Sequence, residues 1–405
     1  MTGISRRQLL VGGGALGALG ALGLAGPAFA WSWSPSESVA GHGAGADPAW
    51  VWDDAADPVL AAVLKRGDVA KVNALLAGWV HNQDPVPHGL PSDVAGLIDS
   101  ARQMPPWADA NKLALAAQFN KKRGLYLGVV YGLGSGMLST LIPHEARAVY
   151  YSKGGANMKD RVSKTAKLGY DIGSLDAYLP QGQMVVTAVK TRLVHAAVRS
   201  LLPTSSYWKT TADETRPISQ RDMLVTLHSL ATFAMKTLTG WKVPIPTDEA
   251  DAFLHSWQVS AHMLGIRDEY IPATWDGMYS QYEQVLGPVL APTAEGLDLA
   301  NVLFDLGSQV DGGIASRPFM ESMTRYVLED KYAQWLQIPY HPGLDQFIAV
   351  GWPASIAFRE ATLPLPVAPD GYWTFDEFLR RAALFYLSNG QQIDITIPDV
   401  NRTTF

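Results

Sequence analysis

The sequence predicts an all-α protein, and three observations carry that expectation. Apolar residues recur at three- and four-residue spacing along most of the chain, helix start and stop residues punctuate those stretches, and strand signals are confined to one short run, IDITIP, at 393–398. With 405 residues, 47% hydrophobic and 17% charged, the chain can bury a large core. No internal repeat or domain-sized linker divides it, so one helical domain is expected over 57–405, preceded by an irregular arm over 31–56.

Residues 1–30 read as a twin-arginine signal peptide. SRRQLL places Arg6 and Arg7 ahead of a weakly hydrophobic, Gly-rich run, and AFA at 28–30 is a small-x-small cleavage site before Trp31. A secreted, extracellular protein is expected, exported already folded, which suits a chain that takes up a cofactor first. The arm WSWSPSESVAGHGAGADPAWVWDD has no period. Its Trp31, Trp33, Trp50 and Trp52 are expected to pack on the domain.

The helical elements follow in order. DPVLAAVLKRGDVAKVNALLAGWV reads as two short helices around Gly67, and DANKLALAAQFNKKRG as a third, ending in basic residues and Gly124. LYLGVVYGLGSGMLSTLI, at 125–142, is 18 uncharged residues, near the threshold for a membrane span. Its glycines and hydroxyls favour a buried helix instead, with something flat or bulky approaching the backbone, so no membrane span is expected. PTDEADAFLHSWQVSAHMLG opens with Thr247 and an acidic first turn; TFDEFLRRAALFYLSNG has the pattern of a Thr374/Glu377 capping box and a Gly390 stop.

Several chemistries are excluded or weakened. A net charge of −6 removes the electrostatic reason to expect a nucleic-acid partner. The absence of cysteine excludes disulfides, thiolate metal sites, iron–sulfur clusters and covalent c-type haem. HEARA at 144–148 begins like HExxH but has Ala148 at the second ligand position, and LGSGM around Ser135 lacks the glycines of a nucleophile elbow. No Gly-rich nucleotide loop follows a strand. No exposed heptad signals an oligomer, so a monomer is expected.

Two stretches carry chemistry. In KTRLVHAAVRSLL, at 190–202, Arg192, His195 and Arg199 share one stripe of a helix that is apolar elsewhere. Buried guanidinium groups need anions. A metal-ligating imidazole whose flanking arginines meet cofactor carboxylates satisfies the pattern, and haem supplies both iron and carboxylates. A structural histidine whose arginines pair with Asp or Glu elsewhere satisfies it too. In MKDRVSKTAKL, at 158–168, Arg161, Lys164, Thr165 and Leu168 share a face, which on its own reads as an amphipathic surface helix.

Together with Glu145 in PHEARAVYYSKGG, this ordered set resembles the latex clearing proteins, the secreted b-type haem rubber oxygenases. The resemblance runs from the signal segment to the end of the helical domain. It implies a globin-like helical core with additional flanking helices, and one non-covalent haem b whose proximal iron ligand is His195. Lys164 matches the distal lysine that binds iron in a closed form. Arg161 and Thr165 match polar residues supporting the haem and distal pocket, while Arg192, Arg199 and Arg325 are candidates for holding the haem or its propionates. Glu145 matches the proposed catalytic base, so the implied catalytic set is Glu145, Arg161, Lys164 and Thr165. The implied reaction is oxidative cleavage of poly(cis-1,4-isoprene) with O2 as co-substrate, giving oligo-isoprenoids with aldehyde and ketone ends. The polymer offers no hydrogen-bonding groups, so an apolar channel must recognise it. Two alternatives remain open: a related haem oxygenase or peroxidase-like enzyme acting on a small lipid or peptide, and a non-catalytic haem- or O2-binding module. His228 is read as a core residue or one reaching the haem region, and His255 and His262, seven apart on one helix, as packing or supporting residues.

Overall fold

The computed structural model describes residues 31–310 and 316–402; the expected signal peptide lies outside them. In chain order α1 spans Ala56–Arg66, α2 Val69–Leu76, α3 Ser92–Ala101, α4 Ala110–Val129, α5 Gly136–Ser139 and α6 Pro143–Tyr151. They are followed by α7 Met158–Ile172, α8 Met184–Leu201, α9 Ser206–Thr211, α10 Gln220–Leu227, α11 Phe233–Gly240 and α12 Thr247–Met263. The rest are α13 Trp275–Val285, α14 Ala294–Gly307, α15 Arg317–Trp335, α16 Pro342–Thr362 and α17 Ala368–Leu387. The all-α expectation holds: among the described residues there are two isolated β-bridges and no strand.

Gly67 separates α1 from α2 as its sequence context implies. It adopts φ 74°, a left-handed conformation that costs glycine little, and its N–H caps the carbonyls of Val63 and Leu64. α1, with Leu60 and Val63 buried, packs on α8, so the first described α-helix supports the helix that carries His195.

α4 does not end at Gly124. Its backbone breaks at Arg123 (φ −123°, ψ 19°) and resumes, running on through a π-helix at Val130–Ser135 into α5. The cause is a buried polar node. Arg123 donates to Glu249 at 2.9 Å and to the Pro244 carbonyl at 2.6 Å, while the N–H of Leu125 bonds to Asp376 Oδ2 at 2.9 Å. A side chain satisfies the N–H that the break frees, so the rod can bend and continue. Beyond the break, a Cβ at Gly134 would lie 2.7 Å from the Phe233 ring and from Val327, the close approach of a flat group that the glycines suggested. No single helix among the described residues is long and apolar enough to cross a membrane; the rod and α6 pass that test only as a pair bent by 87°.

Two expectations near the carboxyl end are corrected. Thr374 and Glu377 form no capping box, because α17 starts six residues earlier, where Pro369 is accommodated in the first turn. Thr374 is mid-helix and donates to the Asp370 carbonyl at 2.8 Å. Gly390 does mark the helix stop, with φ 72° and its N–H on the Phe385 carbonyl at 2.8 Å. The IDITIP run is extended but is no strand: the side-chain amide of Asn73 brackets Ile397, accepting from its N–H and donating to its carbonyl at 2.9 Å each. Ile395 and Ile397 are buried, so the apolar alternation is real but one side chain replaces a ladder.

The arm is docked. Trp33 is buried with its indole N–H on the Glu269 carbonyl at 3.0 Å, Arg216 stacks over Trp52, and Trp50 remains exposed. α8 lies among α1, α7 and α12, and α17 covers α4 and α7.

Candidate functional site: a neutral histidine, a buried carboxyl and an unpaired arginine

His195 sits two turns before the end of α8. Its Nδ1 is buried with no hydrogen-bond partner, and the ring makes no hydrogen bond to any described residue. Burial, reinforced by the positive charges of Arg199 and Arg161, pushes its pKa down to about 3. The ring is therefore neutral at every physiological pH, as a metal-ligating imidazole must be.

Glu145, in the first turn of α6, is enclosed in the same way. Burial is the main cause that lifts its pKa to about 7; the Asp222 charge adds to it, and the Thr226 hydroxyl, Arg161 and His144 work against it. Thr226 on α10 donates to Glu145 Oε1 at 2.5 Å, fixing the carboxyl, and to the Asp222 carbonyl at 3.0 Å. Arg161 on α7 has its pKa lowered by burial and raised in part by Glu145 and Asp160, yet its guanidinium makes no hydrogen bond or ion pair to any described residue.

The charge of Arg161 bears on both His195 and Glu145, lowering the pKa of each. Each is surrounded closely enough for burial to dominate its ionisation, and each still keeps accessible surface. These three side chains make up the candidate site. A polar cleft of about 710 Å³, lined by Lys167, Asp171, Lys190 and Asp394 among others, is separate from it.

The structure redirects the arginine assignments. Arg192 grips Asp53 through two hydrogen bonds at 2.7 and 2.9 Å, and Arg199 donates to Asp57 at 2.7 Å and to the Ile218 carbonyl at 3.2 Å. Arg325 donates to Asp330 at 2.6 Å and to the Ile338 carbonyl at 3.3 Å. Protein carboxylates and carbonyls thus meet Arg192, Arg199 and Arg325 in this structure, although Nη2 of Arg199 is buried without a hydrogen-bond partner. Of the arginines singled out in the sequence, Arg161 is the one whose guanidinium makes no hydrogen bond or ion pair to a described residue.

Lys164 and Thr165 are one turn further along α7. Lys164 pairs with Asp160 at 2.9 Å and donates to Thr396 Oγ1 at 3.1 Å; Thr165 is exposed, its hydroxyl on the Arg161 carbonyl at 3.2 Å. His228 is a core residue: fully buried, it takes the Thr232 hydroxyl at Nδ1 (2.8 Å) and reaches Gln281 Oε1 from Nε2 (2.9 Å), so neither nitrogen is free. His255 and His262 flank the Trp107 ring edge-on; His255 Nε2 accepts the Asp109 N–H and His262 bonds to Asp268.

Sequence reasoning missed the surroundings of Glu145. His144 meets Asp222 at 3.0 Å, Glu214 at 2.9 Å and Asp213 at 3.4 Å. Burial disfavours its charge, but hydrogen bonds to Asp213, Asp222 and Glu214 outweigh that and push its pKa up to about 12. The signal available was the Ser219/Asp222 capping box at the start of α10, which fixes Asp222 beside α6.

The comparisons with known proteins show the family. A family model described as "ER-bound oxygenase mpaB/B'/Rubber oxygenase, catalytic domain" matches residues 123–357, a range that contains Glu145, Arg161, Lys164, Thr165 and His195. A rubber oxygenase from Streptomyces sp. (strain K30) is 55% identical over 406 residues, spanning 99% of this chain and 100% of the relative. The chain belongs to the rubber oxygenase family. A solved structure of latex clearing protein in the closed state superposes with a TM-score of 0.83 at 55% identity, over 91% of this chain and 100% of that one. As a rubber oxygenase family member the chain is an oxidoreductase that uses dioxygen, on an all-α latex clearing protein fold.

Proposed function

We propose that this rubber oxygenase family member cleaves the double bonds of poly(cis-1,4-isoprene) at a single non-covalent haem b, with His195 as the proximal ligand. The observation that carries the reading is the His195 ring itself, neutral, with its Nδ1 buried and without a hydrogen-bond partner, under the charge of the unpaired Arg161 guanidinium. The donor set fits haem: a neutral imidazole for the iron and a buried cation for a propionate. When bound, haem supplies a redox-active iron for dioxygen chemistry.

The chain's own residues do the rest. Glu145, held by Thr226, is a carboxyl that exchanges a proton close to neutral pH, the range in which a general acid or base is most effective. Arg161 provides fixed positive charge that acts on Glu145 and His195, the kind that stabilises developing negative charge without reorganisation. Lys164 reaches a haem only by leaving Asp160 and Thr396, so a lysine-bound form costs two contacts that this structure holds. Export through the twin-arginine pathway suits this chemistry, because the cofactor is inserted before the folded protein meets a polymer that cannot enter the cell.

The test is incubation of the purified chain with polyisoprene under air. Oligo-isoprenoids carrying one aldehyde and one ketone end are expected, with oxygen consumed; their absence would refute the assignment.

A further inference from the structure

One surface of the molecule has no role in the site just described. α16 exposes Phe347, Val350 and Phe358 on a single stripe, at spacings of three and eight residues, with Phe347 65% and Phe358 66% accessible. The connection that follows exposes Leu365, and α17 exposes Phe375 and Phe378. Between the two helices runs an open groove of about 600 Å³, walled by Phe358, Leu365, Tyr372 and Phe375 and reaching Leu125 on α4. Scattered exposed apolar residues need no explanation; a contiguous apolar face built from two helices and their connection does.

Along α16 and the connection the face is also without charge. Residues 346–358 and 361–369 contain no ionisable side chain. The charges around it are already compensated within the chain: Arg359 is buried on Asp376, Lys121 pairs with Asp370, and Arg381 with Glu377. Nothing here matches an anionic headgroup or a charged protein partner, both of which would be met by unpaired cations or anions. An uncharged hydrocarbon is the complementary partner. The face continues along the rod of the catalytic domain, since Leu125, Gly128 and Gly132 follow one another at three- and four-residue spacing, both glycines are exposed, and nothing lies within 4 Å of where their Cβ atoms would be.

We propose that the face formed by α16, the 361–367 connection and α17 is an adsorption surface that holds the enzyme on solid polyisoprene. The proposal rests on the functional reading above. A water-insoluble polymer is presented as a particle, and only chains at the particle surface reach an enzyme. Adsorption through aromatic side chains already exposed to water raises the local concentration of double bonds without consuming binding energy at the catalytic site.

The experiment compares full-length wild type with Phe358→Glu/Phe378→Glu and with the conservative Phe358→Leu/Phe378→Leu. Adsorption is measured by co-sedimentation with synthetic poly(cis-1,4-isoprene) particles. Turnover is measured on those particles and on a short oligo-isoprenoid dispersed in detergent. The Glu variant is expected to lose at least about tenfold in adsorption and in particle turnover, while turnover of the dispersed oligomer and haem content stay within about twofold; the Leu variant behaves as wild type. Adsorption unchanged by the Glu pair overturns the proposal. So does a concentration-dependent dimer that the Glu pair abolishes while adsorption persists, or binding of phosphatidylcholine vesicles as strong as binding of polymer. A wild type inactive on both substrates refutes the functional reading, whereas the adsorption surface is decided by sedimentation alone.

Discussion

Arg192 on α8 holds Asp53 of the amino-terminal arm in a two-point ion pair, at 2.7 and 2.9 Å, with both side chains largely buried. The pair ties the arm to the helix that carries His195. Asp53→Ala would leave a guanidinium enclosed and uncompensated, and a loss of about 3–5 kcal/mol is expected on removing one partner of a buried pair. Denaturant unfolding measures it. The double change Asp53→Leu/Arg192→Met is expected to recover most of the loss, because it removes both charges together.

Glu145→Gln keeps the shape of the site and removes the exchangeable proton. Turnover is expected to fall by about 10² or more, with haem content unchanged. If Glu145 acts as a base, only its ionised form is competent, so wild-type activity rises with pH through about 7, the point to which burial lifts its pKa. The Gln variant loses that inflection. A pH–rate profile of both proteins decides it.

Thr226→Val removes the one hydrogen bond that stabilises the Glu145 anion. The pKa moves further up, and the rising limb of the pH–rate profile shifts to higher pH by about one unit, the size expected for a hydrogen bond to a charged group. A limb that does not move would mean that another group sets it.

His228 contributes to acid sensitivity. Burial lowers its pKa to about 4 from an ordinary value of 6.5, with the Gln281 hydrogen bond opposing. Between those values the unfolded chain binds a proton that the folded chain refuses. Stability therefore falls as pH is lowered from about 6.5 to about 4, by up to about 1.4 kcal/mol per pH unit from this residue. His228→Gln is expected to unfold with a shallower pH dependence over that window, whatever its stability at pH 7.

The legibility of this molecule in its sequence follows from how local each signal is. Gly67 and Gly390 were readable because a left-handed residue is a one-residue property. The run-on at Gly124 was not, because the groups that let α4 bend and continue, Glu249 and Asp376, lie 126 and 251 residues away from their partners. The same holds for the site. Helical spacing showed that Arg192 and Arg199 share the His195 stripe and that buried cations need anions, but not that Asp53 and Asp57 supply them. Nor did periodicity, which presented Arg161 as a surface residue, show that its guanidinium has no partner among the described residues. The family resemblance identified Glu145; its Thr226 clamp and the His144 carboxylate cluster emerge only from the packing of α6 on α10.

The central claim is that His195 holds the cofactor, and the absorption spectrum of purified His195→Ala beside wild type tests it most directly. Wild type is expected to show a Soret band corresponding to one haem per chain, and the variant, folded by circular dichroism, to have lost it. A variant that retains the full band with the wild-type haem content would contradict the account.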